Sequence, residues 1–282
     1  MPPLLNDSRI IGGHRIACGM HGAGEPVVLI HGTPSHSVIW REIVPQLVAS
    51  GRSVHLFDLL GYGASERPLD ADTSVAAQET LLVRLLDSWG LEEADIVGHD
   101  LGGSIGLRLA VHEPRRVRSL TVIDAPCYDS WPSPTWRKIV ETYPDGGASI
   151  PQDEFEALLT RQLRMTVHDK ARMSGDVLEA YLRPLRGDLG QTSFFRHQVA
   201  HYDSRYTQEI TPELGRLAMP VRIVWGAQDE WQPLDWARRL SADTGAGLTV
   251  IPDAGHFVME DAPDAVAAEI DGFLKTPQGE KA

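Results

Sequence analysis

Short unbroken apolar runs alternate with amphipathic stretches over residues 1–126 and again over 219–282, and the pattern changes between them. Pro26-Val27-Val28-Leu29-Ile30, Val54-His55-Leu56-Phe57, Val117 to Ile123, Val221-Arg222-Ile223-Val224-Trp225 and Leu248-Thr249-Val250-Ile251 all have strand length. Continuous apolar runs of that length mark strands covered on both faces. Apolar residues flanking Gly12-Gly13 predict a hairpin over Arg9 to Met20. Leu81, Leu82, Leu85, Leu86 and Trp89 recur at helical spacing, as do Val266, Ile270, Phe273 and Leu274. Further helices are predicted over Ile39 to Ala49 and Leu234 to Ala242. From Cys127 to Met219 no strand-like run occurs, and Glu154 to Leu163 and Asp176 to Leu182 read as helices. The polar tail after Lys275 is expected to fray.

Alternating strands and helices imply an α/β fold with a mostly parallel sheet and helices on both faces. The expected organisation is a core in two parts, 1–126 and 219–282, with a helical cap over 127–218 inserted after the sixth strand. In such sheets the ligand crevice lies beyond the carboxyl ends of the strands. Four loops leave those ends with reactive residues: His31 to Pro34, Gly98 to Gly102, Gly226 to Asp229, and Gly255-His256.

Composition narrows the partners. The 282 residues are 42% hydrophobic, enough for a full core, and carry a net charge of -13. With no basic surplus to neutralise phosphates, nucleic acid and anionic membranes are not expected as partners. The amino terminus has no basic or long apolar region, and no run approaches bilayer length, so a cytoplasmic protein is expected. Cys18 and Cys127 match no metal or redox spacing and read as buried thiols. No metal or cofactor site is predicted. A small-molecule substrate and water are the expected partners of a monomer or homodimer.

The chemistry centres on Gly98-His99-Asp100-Leu101-Gly102-Gly103, where an apolar run meets a helix-compatible stretch. The spacing Gly98-x-Asp100-x-Gly102 is that of a nucleophile elbow with Asp at its tip. A carboxylate is charged at neutral pH, so it attacks carbon without a base and needs only positioning and a dry site. The resulting ester must be cleaved by water, and His256 suits the role of general base. Asp229 would orient the imidazole, and the amides of Thr33 and Leu101 would hold the oxyanion. Asp124, at the end of a strand, is the alternative acid. Asp229 and His256 also fit turn and loop roles, and His31 fits a structural one.

Asp100, Asp229 and His256 follow the chain order nucleophile, acid, histidine. With His31-Gly32-Thr33-Pro34, Gly226-Ala227-Gln228-Asp229 and Gly255-His256-Phe257, the chain resembles α/β-hydrolases of the Asp-nucleophile branch, the epoxide hydrolases and haloalkane dehalogenases. The resemblance implies a cofactor-free hydrolase of small, mostly apolar molecules working through an Asp100 ester. Dehalogenases of this family usually place a Trp after the nucleophile to hold the halide, where this chain has Leu101. Epoxide hydrolases use two lid tyrosines, and this chain offers Tyr143, Tyr181, Tyr202 and Tyr206; Phe195 stands where the family segment usually has Tyr. Tyr181 and Tyr206 are the expected pair, with Trp131 and His99 also facing substrate. The resemblance therefore favours epoxide opening over dehalogenation. An ester or lactone hydrolase or a biosynthetic enzyme using Asp100 and His256 for proton transfer or water activation is the next reading, and a non-enzymatic binding protein the last.

Overall fold

The computed structural model describes residues 3–143, 147 and 150–276. The segment expected to fray therefore lies mostly outside the described residues. Eight strands form one sheet: β1 (Asp7–Ile11), β2 (His14–Gly22), β3 (Glu25–Ile30), β4 (Arg52–Phe57), β5 (Ala94–His99), β6 (Val117–Ile123), β7 (Val221–Gly226) and β8 (Gly247–Ile251). Their order is β1-β2-β4-β3-β5-β6-β7-β8, antiparallel at β1/β2 and β2/β4 and parallel from β4 onward. Gly12 and Gly13, both at positive φ, turn the first hairpin as a two-residue loop requires.

The helices are α1 (Val44–Ala49), α2 (Val75–Trp89), α3 (Leu101–His112), α4 (Pro134–Thr142), α5 (Gln152–Met165), α6 (Gly175–Leu182), α7 (Gly187–Ser193), α8 (Arg205–Gln208), α9 (Leu234–Thr244), α10 (Val258–Asp261) and α11 (Pro263–Lys275). Among the described residues between β6 and β7, every regular element is helical. The helix expected from Ile39 is divided: a 3₁₀ turn covers Ser37–Trp40, and α1 starts only at Val44. Pro45 causes the break. It has no N–H to give the preceding turn, so it is accommodated only in a first turn.

The central strands feed two cores because successive side chains point to opposite faces. Val28 and Ile30 join Leu82, Leu85, Ile105 and Leu109 of α2 and α3 on one side. Val27 and Leu29 join Leu47 of α1 and Ile270 of α11 on the other. All four β3 residues are fully buried, each such side chain contributing about 1.5–3 kcal/mol. The sheet is thereby held rigid, and the loops at its carboxyl end are held with it.

Candidate active site

Asp100 follows β5 with φ 52° and ψ -125°, a conformation side chains rarely adopt. Such strain costs on the order of 1–3 kcal/mol and persists where the surroundings enforce it. Here the enforcement is steric. A β-carbon at Gly98 would fall 2.2 Å from the Gly102 carbonyl oxygen, and one at Gly102 would fall 2.2 Å from that of Ile30. Only glycine permits the strand, turn and helix to approach this closely.

The turn presents a buried carboxylate. Asp100 Oδ1 accepts the Thr33 backbone N–H at 2.8 Å. Its Oδ2 lies 3.3 Å from His256 Nε2, at ion-pair distance but without an aligned hydrogen bond. On the other side of the ring, His256 Nδ1 is 2.8 Å from Asp229 Oδ2. Asp229 Oδ1 accepts N–H groups from Trp231 at 2.7 Å and Gln232 at 2.8 Å. The structure thus brings Asp100, His256, Asp229 and Thr33 together from loops after β5, β8, β7 and β3. Burial opposes a charge on His256, but the carboxylates of Asp229 and Asp100 outweigh it and hold the imidazole well above its ordinary value.

A cavity of about 250 Å³ opens over Asp100. Leu101, Trp131, Trp136, Met165 and Trp231 give it an apolar lining, with Thr33, Tyr202 and Gln162 among its polar groups. A larger open depression of about 840 Å³ runs along α5, and none of the three candidate catalytic side chains lines it. The smaller cavity is the one that touches a strained, buried carboxylate, and so is the candidate site. Among the described residues, no group of three or more His, Cys, Asp or Glu side chains is arranged to hold a metal ion.

The remaining predicted residues divide. Trp131 lines the cavity, though its indole N–H is committed to Thr207 Oγ1 at 2.9 Å. His99 is fully buried and its Nε2 bonds the His256 carbonyl oxygen at 2.9 Å, so it braces the histidine loop from behind. Burial and the adjacent His256 push the His99 imidazole down to about 3, so it stays neutral. Tyr181 turns away from the cavity and donates to Glu260 Oε1 at 2.5 Å. Tyr206 is half-buried beside Arg205 and Arg108, also outside the cavity. His31, pushed down to about 4 by burial, accepts the Leu59 N–H and bonds the Gly32 carbonyl, tying two loops together.

Tyr202 is the tyrosine that reaches the cavity. Its hydroxyl lies 2.5 Å from Thr33 Oγ1, which itself donates to Gln198 Oε1 at 3.0 Å. Thr33 therefore accepts, and the Tyr202 O–H is the donor. Burial and the neighbouring Tyr62 keep the phenol protonated well above its ordinary value. Periodicity did not single out Tyr202, because a 3₁₀ turn over Val199–His201 delivers it rather than a long helix.

Comparison with known proteins identifies the fold family. The sequence model of the alpha/beta hydrolase fold family matches residues 25–263, and the chain belongs to that family. An alpha/beta hydrolase fold protein from Burkholderia ambifaria superposes with a TM-score of 0.87 at 35% identity, covering 94% of this chain and 97% of its own. Haloalkane dehalogenase 2 of Mycobacterium tuberculosis is 28% identical over 88% of this chain and 87% of its own length. A cis-3-alkyl-4-alkyloxetan-2-one decarboxylase of Shewanella oneidensis is 28% identical over 93% and 86%.

Proposed function

We propose that this protein hydrolyses small, mostly apolar epoxides through a covalent Asp100 ester, without a cofactor. The observation that carries the reading is the pairing of two groups in one cavity: the Asp100 carboxylate and the Tyr202 hydroxyl, both beside Thr33. The oxygen of Asp100 that Thr33 does not hold attacks a ring carbon. The carbon–oxygen bond of the ring breaks, and the ring oxygen takes a proton from a phenol that burial keeps protonated. Haloalkane opening finds less support, since Leu101, the residue after Asp100, has no side-chain N–H for a departing halide.

The second half-reaction uses His256. Alkylation of Asp100 removes one of the two negative charges that hold a proton on the imidazole, so its neutral form becomes accessible. His256 Nε2, unpartnered by an aligned hydrogen bond, then takes a proton from water as that water attacks the ester carbon. The Thr33 N–H, with the Leu101 N–H at the start of α3, receives the developing oxyanion. Cleavage of the acyl–oxygen bond passes the new carboxyl's proton to the departing alkoxide, which releases the diol and restores the Asp100 carboxylate. The proton that His256 gave up before hydrolysis returns Tyr202 to its phenol form.

The test is the intact mass of His256→Gln after exposure to an aliphatic epoxide, a haloalkane and an oxetan-2-one, the last two being the classes named for relatives. Without the base, an adduct of the epoxide's mass should accumulate and map to Asp100. An adduct from the haloalkane alone would replace the epoxide reading with a dehalogenase one. Wild-type turnover of any of the three with no adduct in the variant would rule out the covalent ester.

A further inference from the structure

Asp124 is a buried carboxyl near His256 that the proposed reaction leaves unused. It follows β6 in left-handed backbone, with φ 44°, and is completely buried. Its Oδ1 accepts the Gly226 N–H at 2.8 Å. Its Oδ2 is buried and receives no hydrogen bond from any donor among the described residues. The carbonyl of the same Gly226 accepts the Asp229 N–H at 3.3 Å, which brings a second carboxyl, that of Asp229, close to Asp124. Two ionised carboxylates offer each other only lone pairs, and a second charge in a dry site is costly. One proton resolves both conflicts.

We infer that Asp124 is a neutral carboxylic acid whose Oδ2–H donates a hydrogen bond to the Asp229 carboxylate, making Asp124 a positioning residue for the His256–Asp229 pair. Asp124 Oδ1, as the carbonyl oxygen, keeps the Gly226 N–H, and Oδ2 gains the partner it lacks. Asp229 then accepts from Asp124 as well as from Trp231, Gln232 and His256. It takes the negative charge because it has the donors.

The charged and titratable groups around Asp124 fit this assignment. Burial and the Asp229 charge push its carboxyl well above the ordinary range, against the weaker pull of His256 and the Gly226 N–H. At the end of β5, whose neighbouring Asp100 N–H bonds the Ile123 carbonyl, Asp100 is engaged by Thr33 and His256, and His99 is neutral. Among the described residues, His256 is thus the cation that faces Asp124, and it is already paired with Asp229 and Asp100. The inference rests on Asp229 being the partner of His256, whatever the substrate.

Asp124→Asn tests it, since an amide reproduces the neutral acid: its carbonyl takes the Gly226 N–H and its NH₂ donates to Asp229. Difference infrared spectra at neutral pH should show a protonated-carboxyl stretch in the wild type that D124N lacks; no such band overturns the inference. Thermal unfolding gives a second reading. A folded-state carboxyl raised above its unfolded value of about 3.9 binds more protons when folded, so stability falls as pH rises above that value. The Tm of D124N should therefore gain on the wild type from about pH 4 upward. A variant less stable than wild type at neutral pH would show that a useful charge had been removed. His256 ring-nitrogen NMR supplies the third. D124N should keep the wild-type titration, because no charge is lost, whereas D124A, lacking the donor, should leave Asp229 more basic and move it upward. A downward move in D124N refutes the inference. None of these readings needs turnover, so they fail or succeed separately from the ester test.

Discussion

At Asp100 and His256, one event sets the order of the chemistry. The free protein holds the imidazole between two carboxylates, and its pKa is raised by Asp229 and Asp100 against burial. In the proposed ester only Asp229 would remain charged. A general base must be neutral, so ester hydrolysis should accelerate as pH rises. Its midpoint should lie below the pH at which His256 loses its proton in the free protein. Single-turnover kinetics set against NMR titration checks this; a kinetic midpoint at or above the NMR one would contradict the charge argument. Tyr202→Phe belongs to the same scale. It removes the donor proposed for the ring oxygen and leaves the ring that packs against Trp131 and Trp136. Epoxide opening should slow by about 10²-fold, a usual value for a lost general acid. Ester hydrolysis should change much less, and pre-steady-state rates separate the two steps. Nothing in local sequence distinguishes Tyr202 from Tyr181 and Tyr206. The difference lies in which hydroxyl meets Thr33 across 169 positions of chain.

Among elements, the strands were the most legible, because a run such as Val27 to Ile30 reports burial on both faces directly. The sharp turns were legible for a steric reason: Gly98 and Gly102 are the residues that contact distances of 2.2 Å demand. The contacts of the helices between β6 and β7 were not legible, since amphipathic periodicity says which face is buried and not against what. One such contact joins α6 to α10, the short helix after His256. Arg41 forks onto Glu260 at 2.5 and 2.6 Å, and Tyr181 of α6 donates to Oε1 of the same carboxylate. The Glu260 side chain is only 3% exposed, so removing its cation strands a buried charge. Arg41→Ala should cost about 3 kcal/mol, the lower end of the range for breaking a buried pair. Replacing both partners, as in Arg41→Ala with Glu260→Leu, should recover part of that loss. Urea unfolding of the single and double variants decides it: a double variant as unstable as the sum of its parts would mean that the stranded charge is not the cause.

Across the whole molecule, the parallel strands deliver Thr33, Asp100, Asp124, Asp229 and His256 to one end of the sheet, each just after a strand. That is why a short list of loop residues, read with the α/β alternation, names residues that the fold gathers at one end of the sheet. The role of Asp124 was not legible there, because a proton shared between two carboxyls depends on a contact the sequence does not show. Net charge acts at the same scale. The chain carries -13, and the cavity is lined by Asp100 and Glu230. A neutral epoxide feels little of this field, so its kcat/KM should be flat as sodium chloride is raised. An analogue bearing a carboxylate is repelled on approach, and salt should raise its kcat/KM as the screening length falls to about 10 Å near 0.1 M. Initial rates for the two substrates over one salt series provide the check. Salt that lowered kcat/KM for the carboxylate analogue would point to a cationic subsite at the entrance, and the preference for uncharged, apolar substrates would have to be abandoned.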